Sequence, residues 1–188
     1  MESTGQYETP DAPIPLSGHA THAAGGVTTG LYDAHQRELF TFLLASTRDR
    51  AVAEDLLQET FLRLVHEVQA DRLPLNPRAW LYRVAANLLV SRARHINAEG
   101  RWARRQPPPG VVQSLESSFL ERERQERLVN GLGELQMPAR IGLVMAAHGF
   151  TGPEIAAALE RSESATRTLL CRARLRLREI LAEEGASA

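Results

Sequence analysis

Apolar side chains recur at helical spacing along most of the chain, and no segment shows the strict alternation of a half-buried strand. The clearest stripe runs from 52 to 68, where apolar positions follow the i, i+4, i+5, i+8 pattern of a helix with a wide buried face. Weaker stripes occupy 31–46 and 80–89. We therefore predict a first folded unit of three packed helices, spanning 31–96.

A second helical unit is predicted from 119 to 183, beyond a polar linker at 97–118. The linker contains Pro107-Pro108-Pro109-Gly110, and consecutive prolines are incompatible with a helix interior. Residues 1–30 lack apolar periodicity, so we predict a disordered extension there and a short tail at 184–188. The predicted fold class is all-α: two small helical domains joined by a flexible linker.

The second unit carries the signals of a helix-turn-helix. Thr151-Gly152-Pro153-Glu154 matches a capping box, with Thr as N-cap and Glu three residues later. A short helix and a turn follow, and a long helix then opens at Ser162 or Ser164. Helical geometry divides the side chains of the long helix into two opposite sets. The predicted core set is Thr166, Leu169, Leu170, Ala173, Leu177 and Ile180, and the predicted groove-facing set is Ser164, Arg167, Thr168, Cys171 and Arg172.

Arginine is concentrated in two blocks of the sequence. Residues 78–105 hold seven Arg against one Glu, and residues 161–178 hold six Arg against one Glu. The formal net charge of −1 hides these blocks, because residues 1–75 carry eleven acids against five Arg. Two separate positive surfaces on one small chain indicate two contacts with one polyanion, and DNA is the obvious candidate.

Several functional classes are excluded or disfavoured by the residues present. The sequence has no Lys, which removes Schiff-base lysines and the phosphate-binding lysine of a P-loop. It shows no paired catalytic carboxylates, no nucleophile–histidine motif and no metal-ligand spacing, so we predict neither an enzyme nor a bound metal or cofactor. The single Cys fits a reducing cytoplasm. Neither a membrane span nor a secretion signal is recognisable.

Three motifs stand in order around the polar linker. They are Asp55-Leu56-Leu57-Gln58-Glu59-Thr60-Phe61, then Pro77-Arg78-Ala79-Trp80-Leu81-Tyr82-Arg83-Val84-Ala85-Ala86-Asn87, and then Met137-Pro138-Ala139-Arg140 before the helix-turn-helix. Together they resemble the bacterial RNA polymerase sigma factors of the sigma-70 family, in the small extracytoplasmic-function (ECF) group. The resemblance covers 31 to about 183. It implies binding to the β and β′ subunits of core RNA polymerase, recognition of the promoter −10 and −35 elements, help in opening the duplex, and an anti-sigma factor as a usual partner.

The resemblance also implies roles for particular residues. The acidic face of the second helix would bind the clamp helices of β′, the third helix would hold a flipped base of the −10 element near Asn87, and the long helix would read the −35 element. Trp80 lies on the apolar stripe and is expected in the core, whereas Tyr82 is left as a candidate for stacking on a base. The polymerase-binding set is Glu54, Asp55, Gln58 and Glu59; the −10 set is Arg78, Tyr82, Arg83, Asn87, Arg92 and Arg94; the −35 set is Ser164, Arg167, Thr168, Cys171 and Arg172.

Two departures from the family pattern bear on the −35 contact. The turn before the long helix often reads Gly-Ile in the family and here reads Glu160-Arg161, and Leu169 stands where an Arg is frequent. These changes alter the expected sequence preference but not the docking mode. Two other functions stay open: a free-standing helix-turn-helix regulator that binds duplex DNA without polymerase, and a helical adaptor or anti-sigma-like protein. The adaptor leaves both arginine blocks unexplained.

Overall fold

The computed structural model describes residues 18–99 and 119–186, and every regular element in those two ranges is helical. The predicted all-α class is confirmed. None of the helices in the described ranges is long and apolar enough to cross a membrane. The helices are α1 Gly18–Thr47, α2 Arg50–Gln69, α3 Pro77–Glu99, α4 Phe119–Gly133, α5 Met137–Ala147, α6 Gly152–Ala158 and α7 Glu163–Ala186.

The first unit consists of α1, α2 and α3, and local sequence signals set its helix starts. The side chain of Asp49 accepts a hydrogen bond from the Val52 amide at 3.1 Å, which caps α2. The side chain of Asn76 accepts from the Ala79 amide at 3.0 Å and caps α3, with Pro77 in the first turn, where no amide hydrogen is needed. The buried core of the unit includes Leu39, Phe42, Leu43, Leu56, Leu64, Leu81 and Leu89.

The first helix begins earlier than the sequence predicts. Disorder was predicted for 1–30, but α1 already starts at Gly18; residues 1–17 lie outside the described part of the chain. The early turns of α1 continue toward α2, and Thr28, Thr29 and Tyr32 line a groove with α2 side chains. Tyr32 packs edge-on against Phe61, with ring centroids 4.7 Å apart. Packing against α2 thus supports the helix from Thr28 onward, in a segment whose own apolar periodicity is weak.

The second unit consists of α4 to α7. The predicted capping box before α6 is confirmed, because the Thr151 amide donates to the Glu154 carboxylate at 2.8 Å. Ser162 accepts from the Ala165 amide at 3.2 Å at the start of α7. This helix continues to Ala186, so the tail predicted at 184–188 is helical at least that far. Likewise α3 runs to Glu99, into the predicted linker, of which 100–118 lies outside the described residues.

The two units pack against each other through a shared apolar core. Helix α1 contacts α4 and α5, and α3 contacts α5 and α6. Buried residues of both units form one continuous cluster, with Phe42 and Tyr82 on one side and Met145 and Phe150 on the other. The domain boundaries predicted from the sequence stay a prediction. What the structure adds is a contact surface between the units, called here the inter-unit contact.

Candidate nucleic-acid interface

The groove-facing set predicted on α7 is exposed along one side of the helix. Ser164, Arg167, Thr168, Cys171 and Arg172 all lie at the surface. The hydroxyl of Thr168 donates to the Ser164 carbonyl at 3.1 Å and still offers its oxygen lone pairs outward. Among the described residues, no carboxylate forms an ion pair with Arg167 or Arg172, and Cys171 is a free, exposed thiol. Such a face can donate to phosphates and to the acceptor edge of guanine.

The opposite side of α7 is held by close packing against α5 and α4. Thr166 is 1% exposed, and Leu170, Ala173 and Ile180 are also buried, as predicted. Leu169 and Leu177 are half-buried and pack on the same core. A Cβ added at Gly142 would lie 2.9 Å from the Leu170 side chain, so α5 and α7 approach as closely as a glycine permits. The packing therefore fixes the direction in which the exposed face points.

The six residues predicted for −10 recognition on α3 divide into two groups. Arg83, Arg92 and Arg94 are exposed. Arg78, Tyr82 and Asn87 instead make contacts with the second unit. Half of the predicted surface is therefore open in this arrangement, and half lies at the inter-unit contact.

Tyr82 is the clearest departure from the sequence expectation. It is 1% exposed, whereas Trp80, expected in the core, is only half-buried. The reason is that α3 packs on two sides: one toward α1 and α2, the other toward α5 and α6. The Tyr82 ring lies 4.5 Å from the Phe150 ring and 4.9 Å from the Phe42 ring, measured between centroids. It is therefore part of the core here and is not available to stack on a base.

Arg78 is held by acceptors from both units. Its guanidinium donates twice to the Glu38 carboxylate and once to the His148 carbonyl at 2.7 Å. It also lies 4.4 Å from the centroid of the Phe150 ring, in the geometry of a cation–π contact. Arg78 lowers the pKa of Glu38 to about 2, aided by His148 and opposed by partial burial. Glu38 raises the pKa of Arg78 in return, so this ion pair is fully charged at neutral pH.

His148 joins the same cluster through its side chain. Its Nδ1 lies 3.0 Å from the Tyr82 hydroxyl and 3.3 Å from the Glu38 carboxylate. Burial raises the pKa of Tyr82, and the negative charge of Glu38 raises it further. The Tyr82 hydroxyl therefore stays protonated and can donate a hydrogen bond at this contact. Nothing in the local sequence pattern around His148 pointed to Glu38, which is 110 residues away.

Arg140 forms a second link between the units. Its guanidinium, in a residue that is 9% exposed, donates to four backbone carbonyls: Leu132 at 2.8 Å, Gly133 at 2.7 Å, Leu135 at 3.1 Å and Ser46 at 2.7 Å. These carbonyls lie at or just beyond the C-terminal ends of α4 and α1, where carbonyls lack helical partners and a cation is favourable. Burial lowers the pKa of Arg140, and the nearby Arg48 lowers it further. The sequence contained this residue in a family motif but gave no role for it.

The acidic face predicted on α2 lies away from the inter-unit contact. Glu54, Asp55 and Gln58 are exposed, and Glu59 is half-buried. Arg50 pairs with Glu54, and Arg63 pairs with Glu59, each at 2.8 Å and one helical turn apart. Beside this face, α1 and α2 form a shallow groove of about 530 Å³ with apolar side chains that include Leu57, Phe61 and the exposed Leu62. An apolar groove with an acidic rim suits a basic protein surface better than DNA.

Comparison with known proteins agrees with the motifs of the first unit. Residues 31–98 match the model of the family described as Sigma-70 region 2. The chain is 37% identical over 70 residues to the ECF RNA polymerase sigma factor SigM of Bacillus subtilis, a stretch covering 37% of this chain and 42% of that protein. It is 37% identical over 76 residues to SigL of Mycobacterium tuberculosis, with 40% and 43% covered. The matched stretch thus spans less than half the length of these curated relatives.

Solved structures extend the likeness to both units. The fold is similar to that of the sigma factor RpoE in complex with the anti-sigma factor NepR from Bartonella quintana, with a TM-score of 0.67, 21% identity, and 80% of this chain and 94% of that chain covered. It is also similar to CnrH in complex with the cytosolic domain of CnrY, with a TM-score of 0.60, 26% identity, and 87% and 95% covered. Residues 31–98 therefore match the Sigma-70 region 2 family, and the resemblance to ECF sigma factors is confirmed.

Proposed function

We propose that this chain is an ECF-type sigma factor that binds core RNA polymerase, recognises the −10 and −35 elements and promotes transcription initiation in the cytoplasm. The proposal rests on the combination of a Sigma-70 region 2 match over 31–98 with an exposed helix-turn-helix farther along the same chain. A free-standing regulator requires only the helix-turn-helix. An adaptor requires neither arginine surface.

Three helices carry exposed surfaces, and each surface would bind a different partner during initiation. The acidic face of α2 and its apolar groove would bind the β′ subunit, because the carboxylates there lie at the surface, where a basic partner can reach them and replace the exposed Arg50 and Arg63 pairs. The exposed face of α7 would enter the major groove of the −35 element, with Arg167 and Arg172 as donors. The arginines of α3 would hold the backbone of the −10 strand. Each surface thus has one partner, and none needs a cofactor.

Promoter opening requires a site that accepts an unstacked base. Extruding a base costs a few kcal/mol, which contacts in a pocket have to offset. Asn87 offers both an amide donor and a carbonyl acceptor, as recognition of a base edge requires. Its amide donates to the Glu160 carboxylate at 3.2 Å in this arrangement, so a base edge would have to replace that bond. Arg83, Arg92 and Arg94 are exposed on the same helix and would hold the neighbouring phosphates.

An anti-sigma factor is part of the proposal. The two solved relatives were captured with protein partners, and for RpoE that partner is named an anti-sigma factor. A partner of this kind would cover the surfaces that core polymerase uses. The exposed acidic face and apolar groove of α2 are the surfaces it would have to block. Partner capture from the source cell, followed by competition against core polymerase, tests this point.

The direct test is run-off transcription with sigma-free core polymerase on a pool of genomic promoter fragments, with and without the chain. Transcripts that depend on the chain and start at fixed sites support the proposal and reveal both promoter elements. If no transcripts appear and the chain shifts duplex DNA alone, the free-standing regulator is the better account. A chain that does neither would be an adaptor, and the proposal would be wrong.

A further inference from the structure

A cavity lies where the C-terminal half of α3 meets the second unit. Its volume is about 700 Å³, within the roughly 300–1,000 Å³ of pockets that hold small organic ligands. One wall belongs to α3, and the other belongs to the start of α5 and the turn between α6 and α7. The α3 wall includes Arg94 and Ile96, and the opposite wall includes Gln136, Met137, Leu159 and Arg161.

Two arginines bring positive charge to this cavity from its two walls. Arg94 and Arg161 are both exposed, and among the described residues no carboxylate forms an ion pair with either. The acid next to Arg161 in the sequence is Glu160, whose carboxylate accepts a hydrogen bond from Asn87 at 3.2 Å. The two guanidinium groups are therefore available to a ligand that carries negative charge.

Most of the other side chains that line the cavity are apolar. Leu159 is buried and Met137 is half-buried on one wall, and on the other the Ile96 side chain is 46% exposed. Covering exposed apolar surface of this kind with a flat ring system is favourable. Gln136 lies at the same cavity and makes no side-chain hydrogen bond to cap α5, so its amide can bind the edge of a nucleobase.

We propose that the cavity binds a nucleoside polyphosphate, with the phosphates between Arg94 and Arg161 and the base on the apolar wall beside Gln136. Arginine suits this ligand because its planar guanidinium can donate two hydrogen bonds to one phosphate. A nucleoside without phosphates would leave both charges unused, and inorganic phosphates would leave the apolar wall in water. Both parts of the ligand are therefore needed for tight binding. The proposal concerns the chain alone and goes beyond its proposed function in transcription.

A DNA strand offers the same two chemical groups, a phosphate and a base. The small ligand is favoured because the lining residues come from both units and form one partly enclosed cavity, whereas a single strand follows an extended groove. A ligand in the cavity contacts both units at once. It binds the folded arrangement and not the unfolded chain, so its binding stabilises the fold by mass action.

The test is isothermal titration calorimetry of the full chain with GTP and with ATP. At least one of the two should bind at a single site with a Kd on the order of 100 μM or tighter. The corresponding nucleoside and inorganic tripolyphosphate should each bind at least about tenfold more weakly, because each offers only one of the two parts. With the nucleotide at about 100 times its Kd, the Tm followed by circular dichroism should rise by about 5 °C or more.

Substitution of the two arginines separates this cavity from the other basic surfaces of the chain. Arg94→Ala and Arg161→Ala should each weaken nucleotide binding about tenfold or more, because each removes charge-assisted hydrogen bonds to a phosphate. Both side chains are exposed, so the free variants should keep the Tm of the wild type within about 1 °C. Arg124→Ala removes the same charge from an exposed position on α4 and should leave the Kd within about twofold.

The outcomes separate this proposal from the proposed function. Binding too weak to detect at about 1 mM nucleotide would overturn the proposal, and so would equal nucleotide affinity in the wild type and both arginine variants. If tripolyphosphate binds as tightly as the nucleotide and a single-stranded oligonucleotide of random sequence displaces it, the arginines form a surface for DNA phosphates and the proposal is wrong as well. None of these measurements involves polymerase or a promoter. A chain that fails in run-off transcription but binds a nucleotide through Arg94 and Arg161 supports the proposal without the proposed function.

Discussion

The two arginine-rich surfaces of this chain differ in how they are displayed. On α7 the predicted groove-facing residues are all exposed, and a closely packed core lies directly behind them. On α3 three of the six predicted residues are engaged by the other unit, one of them completely buried. Both surfaces have similar composition in the sequence. The difference shows that the availability of a binding face depends on the contacts of the whole chain as much as on its own residues.

That difference has a functional consequence under the proposed role. A duplex −35 element needs no opening before α7 can approach it, so its reading face can stand exposed at all times. A −10 strand becomes accessible only when the duplex opens, and a surface that binds single strands would otherwise attract unrelated nucleic acid. Covering the α3 surface in the free chain limits such binding.

The largest effect is expected at Arg140, which links the units beneath both surfaces. Arg140→Met removes four hydrogen bonds to backbone carbonyls and leaves those carbonyls without their donor. We expect a loss of about 3 kcal/mol in the free energy of unfolding, or roughly 10 °C in Tm. Thermal unfolding followed by circular dichroism measures it. Arg124→Met, at an exposed position on α4, should change Tm by about 1 °C or less.

A single substitution on the exposed face of α7 should weaken its binding to DNA. Arg172→Ala should weaken binding to a duplex −35 element by about 1–3 kcal/mol if its guanidinium contacts a guanine. Titration of a labelled duplex at fixed ionic strength gives the value. Arg176→Ala removes the same charge four residues farther along, from a side chain paired with Glu179, and should cost less than half as much. Equal losses would show that Arg172 contributes charge only.

A substitution of Asn87 tests the part of the α3 surface that contacts the second unit. Asn87→Ala should slow promoter opening by about tenfold while leaving polymerase binding within about twofold, because it removes base contacts made only after melting. Opening is followed with a fluorescent base in the −10 element, and binding with labelled core enzyme. Equal loss in both assays would contradict the assignment of Asn87 to the opened strand.

The smallest effect is a pH dependence of stability at the inter-unit contact. The pKa of Glu38 is about 2 in the folded chain and near 4.5 without its partners, so its stabilising contribution is complete above the higher value and is lost as pH falls through the lower one. Because the side chain is 36% exposed, screening keeps the contribution small. Glu38→Gln should flatten the decline of Tm between pH 5 and about 2, whereas Glu126→Gln should leave it unchanged. An unchanged slope in the first variant would show that the ion pair does not stabilise the fold.

Local patterns of the sequence were sufficient to predict most of the helices and the exposed face of α7. The capping box at Thr151 and the two-sided pattern of α7 depend on residues a few positions apart, and these predictions were confirmed. Long-range contacts were not readable in this way. Tyr82 is buried because the second unit packs on a face of α3 that its own periodicity leaves polar. The contacts of α1 with α2 at Thr28, Thr29 and Tyr32 were likewise not readable from local periodicity.

Of the residues at the inter-unit contact, Glu160 stood out in the sequence, because it occupies a turn position where the family often has glycine. From the sequence alone, this difference indicated an altered −35 preference. The structure connects it instead to Asn87 in the other unit. Arg140 and His148 gave no comparable signal, because their partners in the other unit, the Ser46 carbonyl and the Glu38 carboxylate, lie 94 and 110 residues away along the chain.

The measurement that tests the account most directly is site-specific photocrosslinking to a promoter, from Ser91 on α3 and from Leu175 on α7, both exposed. With core polymerase present, the Ser91 probe should react with the −10 element and the Leu175 probe with the −35 element. With the chain alone on the same duplex, only the Leu175 probe should react. Crosslinks from both probes to one element, or none to the promoter from either probe in the polymerase complex, would contradict the division of work between the two surfaces.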